Sequence, residues 1–412
     1  MQTQLADWIR ATPEGVEANA ILRKCVHCGF CLATCPTYTL LGDELDSPRG
    51  RIYLMKQMLE GSPVTERTQL HLDRCLTCRA CETTCPSGVE YGRLVDIGRD
   101  LVEQKVPRSA PERLRRWLMR RVLSSRSLFG ALLAMGRTVK FLLPASLARE
   151  IPERRDPGAW AQASHARRML VLGGCVQPSL SPSINAATSR VLDRLGISLV
   201  EAPAAGCCGA VTFHLNAQHE ALAFVKANID AWWPYVEQGA EAIVITASGC
   251  GTMVKEYGHL LRGDPMYAEK AARISNLAKD ISEVIGAERS ALAKLAKGEP
   301  RERIAFHSPC SLQHGLKLTG VVEPLLRDLG YELTPVPDAH LCCGSAGTYS
   351  ILQQELSQRL LANKVKALES GAPTLIATAN IGCLVHIGSA SSVPIRHWIE
   401  LVDERMSDVR AR

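Results

Sequence analysis

The sequence predicts an α/β protein in two unlike parts: a mainly α N-terminal domain, then a duplicated C-terminal α/β domain with parallel sheets. Three observations carry that reading. Cysteines recur in one pattern twice, at Cys25, Cys28, Cys31, Cys35-Pro36 and, fifty residues on, at Cys75, Cys78, Cys81, Cys85-Pro86. Beyond residue 158, short apolar runs alternate with helix-like stretches, as parallel strands do with their crossover helices. The same half carries two copies of one four-cysteine spacing.

Each early run reads C-x2-C-x2-C-x3-C-P, the run with which bacterial ferredoxins hold [4Fe–4S] clusters. Thiolates are the soft anionic ligands that cluster iron prefers, and two-residue gaps let one tight loop present three sulfurs. In two-cluster ferredoxins the last cysteine of each run crosses to the other cluster. That rule assigns Cys25, Cys28, Cys31 and Cys85 to one cluster, and Cys75, Cys78, Cys81 and Cys35 to its neighbour. Zinc knuckles also use C-x2-C pairs, but they need two pairs per ion rather than three evenly spaced cysteines and a fourth followed by proline. A disulfide framework fits less well: residues 1–20 carry no secretory signal, and sixteen cysteines then point to metal ligation in a reducing compartment. The expected location is the cytoplasm or the cytoplasmic side of a membrane.

At 412 residues the chain exceeds one ordinary domain. It divides into a two-cluster ferredoxin-type domain (1–105), a basic helical linker (106–157) and two α/β repeats (158–290 and 291–412). Within the first, residues 13–23 have helical spacing. Ser47 reads as the N-cap of a second helix over 51–60, with Pro48 at its first position and Gly61 ending it. Cluster burial there is expected to rely on Leu, Ile, Val, Tyr38, Tyr53 and the two prolines.

The net charge of +6 is unevenly placed. Residues 109–143 hold Arg113, Arg115, Arg116, Arg120, Arg121, Arg126, Arg137 and Lys140 against one acid, Glu112. Helical stretches are expected over 113–122 and 128–143, with Leu, Trp117, Met and Phe beside the arginines. Such a segment serves as a solvated linker, as a surface for an acidic partner, or as an interfacial helix at anionic headgroups. Nucleic acid does not fit, because Trp117, Phe129 and Phe141 are too sparse for a base-stacking series. No uncharged run meets the requirement for about 20 consecutive apolar residues, so any membrane contact is peripheral.

In the duplicated half, one copy has a strand near 169–173, Cys175, a helix, a strand over 197–200, Cys207-Cys208-Gly209, a strand over 242–246 and Cys250. The other has a strand over 304–307, Cys310, a helix, a strand over 331–336, Cys342-Cys343-Gly344, a strand over 374–378 and Cys383. In both, the first cysteine precedes the pair by 32 residues. Loops after parallel strands gather at one rim of the sheet, where ligands bind. The four cysteines of each copy therefore form a candidate third or fourth site, for a further iron–sulfur cluster or zinc. His307 and His386 lie near these cysteines and read as ordinary polar core residues.

These residues resemble the iron–sulfur subunits of bacterial glycolate oxidases, and more broadly those of anaerobic glycerol-3-phosphate dehydrogenase, lactate-utilisation and heterodisulfide reductase systems. The likeness covers nearly the whole chain, including residues 23–31 and 46–52. It implies an electron conduit: an FAD-binding partner subunit oxidises glycolate to glyoxylate, with D-lactate a second candidate substrate, and this chain passes electrons toward a membrane quinone at the inner membrane. The absence of a glycine-rich dinucleotide fingerprint agrees with that division of labour. The same scaffold also serves glycerol-3-phosphate or lactate dehydrogenases and CCG-cluster disulfide reductases. One departure is visible: the fullest CCG motif ends in C-x-x-C, whereas here Met253 and His386 stand at the last position.

Overall fold

The computed structural model describes residues 1–142, 144, 151–295 and 302–407. Its N-terminal part is helical. Thr12 caps the Pro13–Lys24 helix through Gly15 N. Ser47 caps Pro48–Leu59 through Gly50 N, with Pro48 at the first position and Gly61 beyond its end at φ +98°. Helices Glu66–Asp73 and Tyr91–Lys105 close a core of Leu22, Ile52, Met55, Leu59, Leu72 and Leu94, all nearly inaccessible.

The basic segment forms helices Ala110–Leu123 and Arg126–Val139, followed by a short 3-10 turn to Leu142; Leu143, the expected end, lies outside the described residues. Part of its charge is neutralised within the fold. Arg116 is buried against Asp73 and Glu112, and Arg120 pairs with Glu220. The Arg126–Val139 helix buries none of its residues.

The C-terminal half contains two four-stranded, all-parallel sheets. The first orders its strands β2-β1-β3-β4, with β1 Arg167–Val171, β2 Ile197–Glu201, β3 Ile243–Ile245 and β4 Ala278–Asp280. The second repeats it as β6-β5-β7-β8, with β5 Arg303–His307, β6 Glu332–Leu333, β7 Leu375–Thr378 and β8 Ile395–His397. Every pairing is parallel. Apolar residues such as Val171, Ile197 and Val244, with both faces covered by helices, explain the continuous runs seen in the sequence.

Two differences from the expected elements stand out. The strand expected over 331–336 shrinks to Glu332–Leu333, because Pro335 and Pro337 cannot donate to a ladder. Strands β4 and β8 were not foreseen. Each has three residues, two of them charged or polar (Lys279 and Asp280, Arg396 and His397), and neither offers a run long enough to read.

The copies interlock. The Trp398–Ser407 helix of the second packs on Ser183–Arg194 of the first, where Asp403 receives Arg190 at 2.6 Å and Arg194 at 2.9 Å. Reciprocally, Ile281–Ala287 packs on Val322–Asp328. One hydrophobic cluster, from Val171 and Val244 to Ile304 and Ala377, runs through both.

Candidate metal centres

Both early cysteine loops are wound alike. His27 and Gly29 have φ of +57° and +85°, and Thr77 and Arg79, fifty residues on, have +51° and +60°. Left-handed backbone at the third and fifth positions of each loop, counted from its first cysteine, curls the three sulfurs toward one point. Glycine takes that conformation freely, whereas Arg79 holds it at a cost of about 1–2 kcal/mol. Its guanidinium is tied to Glu256 at 2.9 Å, an anchor between the two halves of the molecule.

Cys25, Cys28, Cys31 and Cys85 face one cavity, with Val26 and Phe30 at its mouth. Burial pushes the Cys31 thiol up to about 11, and the neighbouring Cys25, Cys85 and Cys28 thiols add to the rise. Cys35, Cys75, Cys78 and Cys81 form the second group, with Cys35 and Cys75 close enough to raise the pKa values of Cys78 and Cys81. Burial drives the Cys78 and Cys81 thiols far above the ordinary range. Cys81 also lines the first cavity, so the two groups share a wall. Cys85 thus lies with Cys25, Cys28 and Cys31, and Cys35 with Cys75, Cys78 and Cys81. Cys25 and Cys31 in one set, and Cys78 and Cys81 in the other, are held above the ordinary thiol range, so these sulfurs carry protons when empty and binding a metal would expel them.

Residues the sequence did not single out complete the second group. Arg51, fully buried, lies at 4.0 Å from Cys35 Sγ and donates to Thr37 Oγ1 at 3.1 Å, while Tyr91 OH donates to Cys75 Sγ at 3.6 Å. Tyr53, expected to bury a cluster, is 46% exposed and instead meets His27 edge-on. Arg51 sits in the capped-helix run 47–51, but nothing in the sequence separates a buried arginine from a surface one.

The later cysteines also converge. In the first copy Cys175 lies beside Cys207, and Cys208 beside both Cys207 and Cys250, close enough to affect one another's ionisation. In the second, Cys310 lies 3.7 Å from Cys342, and Cys343 lies 3.4 Å from Cys383. Cys250 and Cys383 stand in the first turns of helices Ser248–Lys255 and Ile381–Gly388, directly after β3 and β7. Gly344, at φ +91°, lets its amide donate to Cys342 Sγ at 3.4 Å; a Cβ there would come within 2.7 Å of Ser357 O. The second copy adjoins the ferredoxin-type domain. Cys310 and Cys342 interact with Cys78, and Thr83 bonds His314 at 2.8 Å.

Helices around paired four-cysteine sets, joined to duplicated parallel sheets with cysteines at their rims, define an iron–sulfur protein of the dicluster and cysteine-rich type. The 4Fe-4S dicluster domain matches residues 21–89, and the cysteine-rich domain matches 169–255 and 304–388. The glycolate oxidase iron-sulfur subunit of Escherichia coli (strain K12) is 56% identical, over 98% of this chain and 99% of its own length. A probable glycolate oxidase iron-sulfur subunit of Bacillus subtilis (strain 168) is 32% identical, over 89% of this chain and 88% of its own. Lactate utilization protein A of Bacillus licheniformis is 28% identical over 56% of this chain. The chain belongs to the family of glycolate oxidase iron–sulfur subunits, and its role is electron transfer within an oxidoreductase complex.

Proposed function

We propose that this chain carries electrons in a glycolate oxidase complex, from an FAD-bearing partner subunit that oxidises glycolate to glyoxylate, toward a membrane quinone. The observation that carries the reading is the 56% identity to the Escherichia coli subunit over 98% of the chain. In this reading Cys25, Cys28, Cys31 and Cys85 hold one [4Fe–4S] cluster, and Cys75, Cys78, Cys81 and Cys35 hold the other. Bound clusters would supply one-electron steps that a two-electron flavin oxidation needs downstream.

The residues around them do the remaining work. Arg51 places a fixed positive charge beside Cys35 and Cys75. Tyr91 donates to the Cys75 sulfur, and hydrogen bonds to cluster sulfur favour the reduced state. Val26 and Phe30, 67% and 63% exposed, surround the mouth of the first site and offer an apolar rim where a redox partner can approach.

No helix among the described residues is long and apolar enough to cross a membrane. Peripheral contact is assigned to the Arg126–Val139 helix, where Leu128, Leu132, Met135 and Val139 are exposed along one face beyond a flanking set of arginines. That pattern suits the interface of an anionic bilayer.

The test is reconstitution of the purified chain with candidate flavin subunits. Glycolate-dependent quinone reduction that requires this chain is the expected result. Equal quinone reduction without it, or a requirement for lactate or glycerol 3-phosphate in place of glycolate, would overturn the assignment.

A further inference from the structure

The two cysteine-rich copies are chemically unequal. Three residues before the first cysteine, the second copy has His307 where the first has Leu172. His307 is 2% exposed, and its Nε2 is buried without a hydrogen-bonding partner among the described residues. A buried polar nitrogen with no partner is costly and calls for an explanation. A ring nitrogen of His307 and the sulfurs of Cys343 and Cys383 all lie within 4.8 Å of one another. His386, nearer in sequence to Cys383, is otherwise engaged: its Nε2 bonds Ser357 Oγ at 3.1 Å.

A second difference is charge. Lys364, 3% exposed, is the one buried lysine among the described residues. Its ammonium donates to Asp338 O at 2.9 Å and Ala339 O at 3.5 Å, with no ion pair to a carboxylate among the described residues. Burial pulls its pKa down, and only negative charge on the sulfurs of Cys343, Cys342, Cys310 and Cys383 pulls the other way. The corresponding helix of the first copy offers the neutral amide of Asn228, which bonds Gly206 N and Cys207 O. Protonated thiols cannot balance a buried ammonium, whereas thiolates around a metal leave net negative charge that can.

The spacing agrees. Tetrahedral ligation with metal–sulfur bonds near 2.3 Å and metal–nitrogen bonds near 2.0 Å sets donor atoms about 3.5–3.8 Å apart. The sulfur pairs here stand at 3.4 and 3.7 Å.

We propose that the second cysteine-rich copy holds a thiophilic transition-metal centre with His307 as a ligand beside Cys343 and Cys383, completed from the Cys310–Cys342 pair, and that the first copy holds none. His307 stands in for the terminal cysteine missing from the CCG motif. The inference does not depend on the substrate of the complex. Through Cys78 the centre would adjoin the second ferredoxin-type site.

The full chain, purified anaerobically, is to be assayed for iron, zinc and sulfide and by X-ray absorption. Metal in excess of the N-terminal iron is expected, with imidazole scattering at the excess metal. Excess at the zinc edge identifies a lone ion, and excess iron with sulfide a cluster. His307→Leu should lose the excess and His307→Cys should keep it without imidazole scattering. The double variant Cys207→Ser, Cys208→Ser should leave it unchanged. Paramagnetic resonance of the reduced N-terminal clusters reports folding in each variant. Absence of excess metal, absence of nitrogen scattering from the wild type, or loss in the Cys207/Cys208 variant equal to that in His307→Leu would overturn the proposal.

Discussion

The Arg51 guanidinium and the Asp46 carboxylate meet at 3.2 Å with 1% and 0% of their side chains exposed, beside the sulfur of Cys35. Asp46 also receives Arg74 at 2.8 Å and faces His71 Nδ1 at 3.1 Å, while Arg51 donates to His71 O at 2.7 Å. Removing one member of such a network strands the others away from water. Arg51→Met is expected to lower stability by about 3–5 kcal/mol. Denaturant unfolding of the variant, read alongside its cluster resonance, checks this; an unchanged midpoint would mean the network carries no weight.

Iron content tests the crossed cysteine sets. Wild-type protein should hold about eight irons in the N-terminal domain, and Cys28→Ala or Cys78→Ala about four. Double substitution Cys31→Ala, Cys85→Ala should cost no more iron than either alone, since both belong to one set. Loss of all eight in that double variant, with the fold retained, would place Cys85 with the other set.

Asp280 gives a pH prediction. Burial raises its carboxyl from 3.8 to about 6, despite hydrogen bonds from Ser282 that pull the other way. A folded-state pKa above the unfolded one means that the native state binds the proton more tightly. The stabilisation is complete below about pH 4 and is lost as pH rises through about 6. For a shift of this size the loss is on the order of 3 kcal/mol. Asp280→Asn keeps an oxygen for capping the Ile281–Ala287 helix and cannot titrate. Unfolding midpoints of wild type and variant should therefore diverge between pH 4 and 7, the variant falling less; parallel curves would refute the assignment.

The exposed face of the Arg126–Val139 helix supplies the last test. Leu132→Gln with Met135→Gln replaces two exposed residues and should shift stability by about 0.5 kcal/mol or less. Co-sedimentation with vesicles of anionic lipid should weaken, and raised salt should weaken it further by screening the arginines. Equal sedimentation of the variant would exclude this face from membrane contact.

Much of this architecture was legible because its signals are local. Metal-ligand spacing survives in sequence since a loop of seven residues, 25–31 or 75–81, fixes where its three sulfurs go, and Ser47-Pro48 marks a helix start through two chemically specific positions. Paired copies were visible because Cys175 and Cys310 each precede a Cys-Cys-Gly by one distance. Long-range relations were not. Arg51 looks like any helical arginine until Cys35 and Asp46 close over it, and β4 and β8 are too short to carry a period. His307 was read as a core residue because its missing partner is a property of space, which neighbours in the chain do not reveal.

The clasp between the copies, with Asp403 of one gripping Arg190 and Arg194 of the other, also limits what engineering or evolution can do with them. Neither half can be cut away without stripping the lid from its sibling's first helix. Duplication here has produced an inseparable couple, free to diverge in the chemistry at each rim while bound to share a single fate in folding.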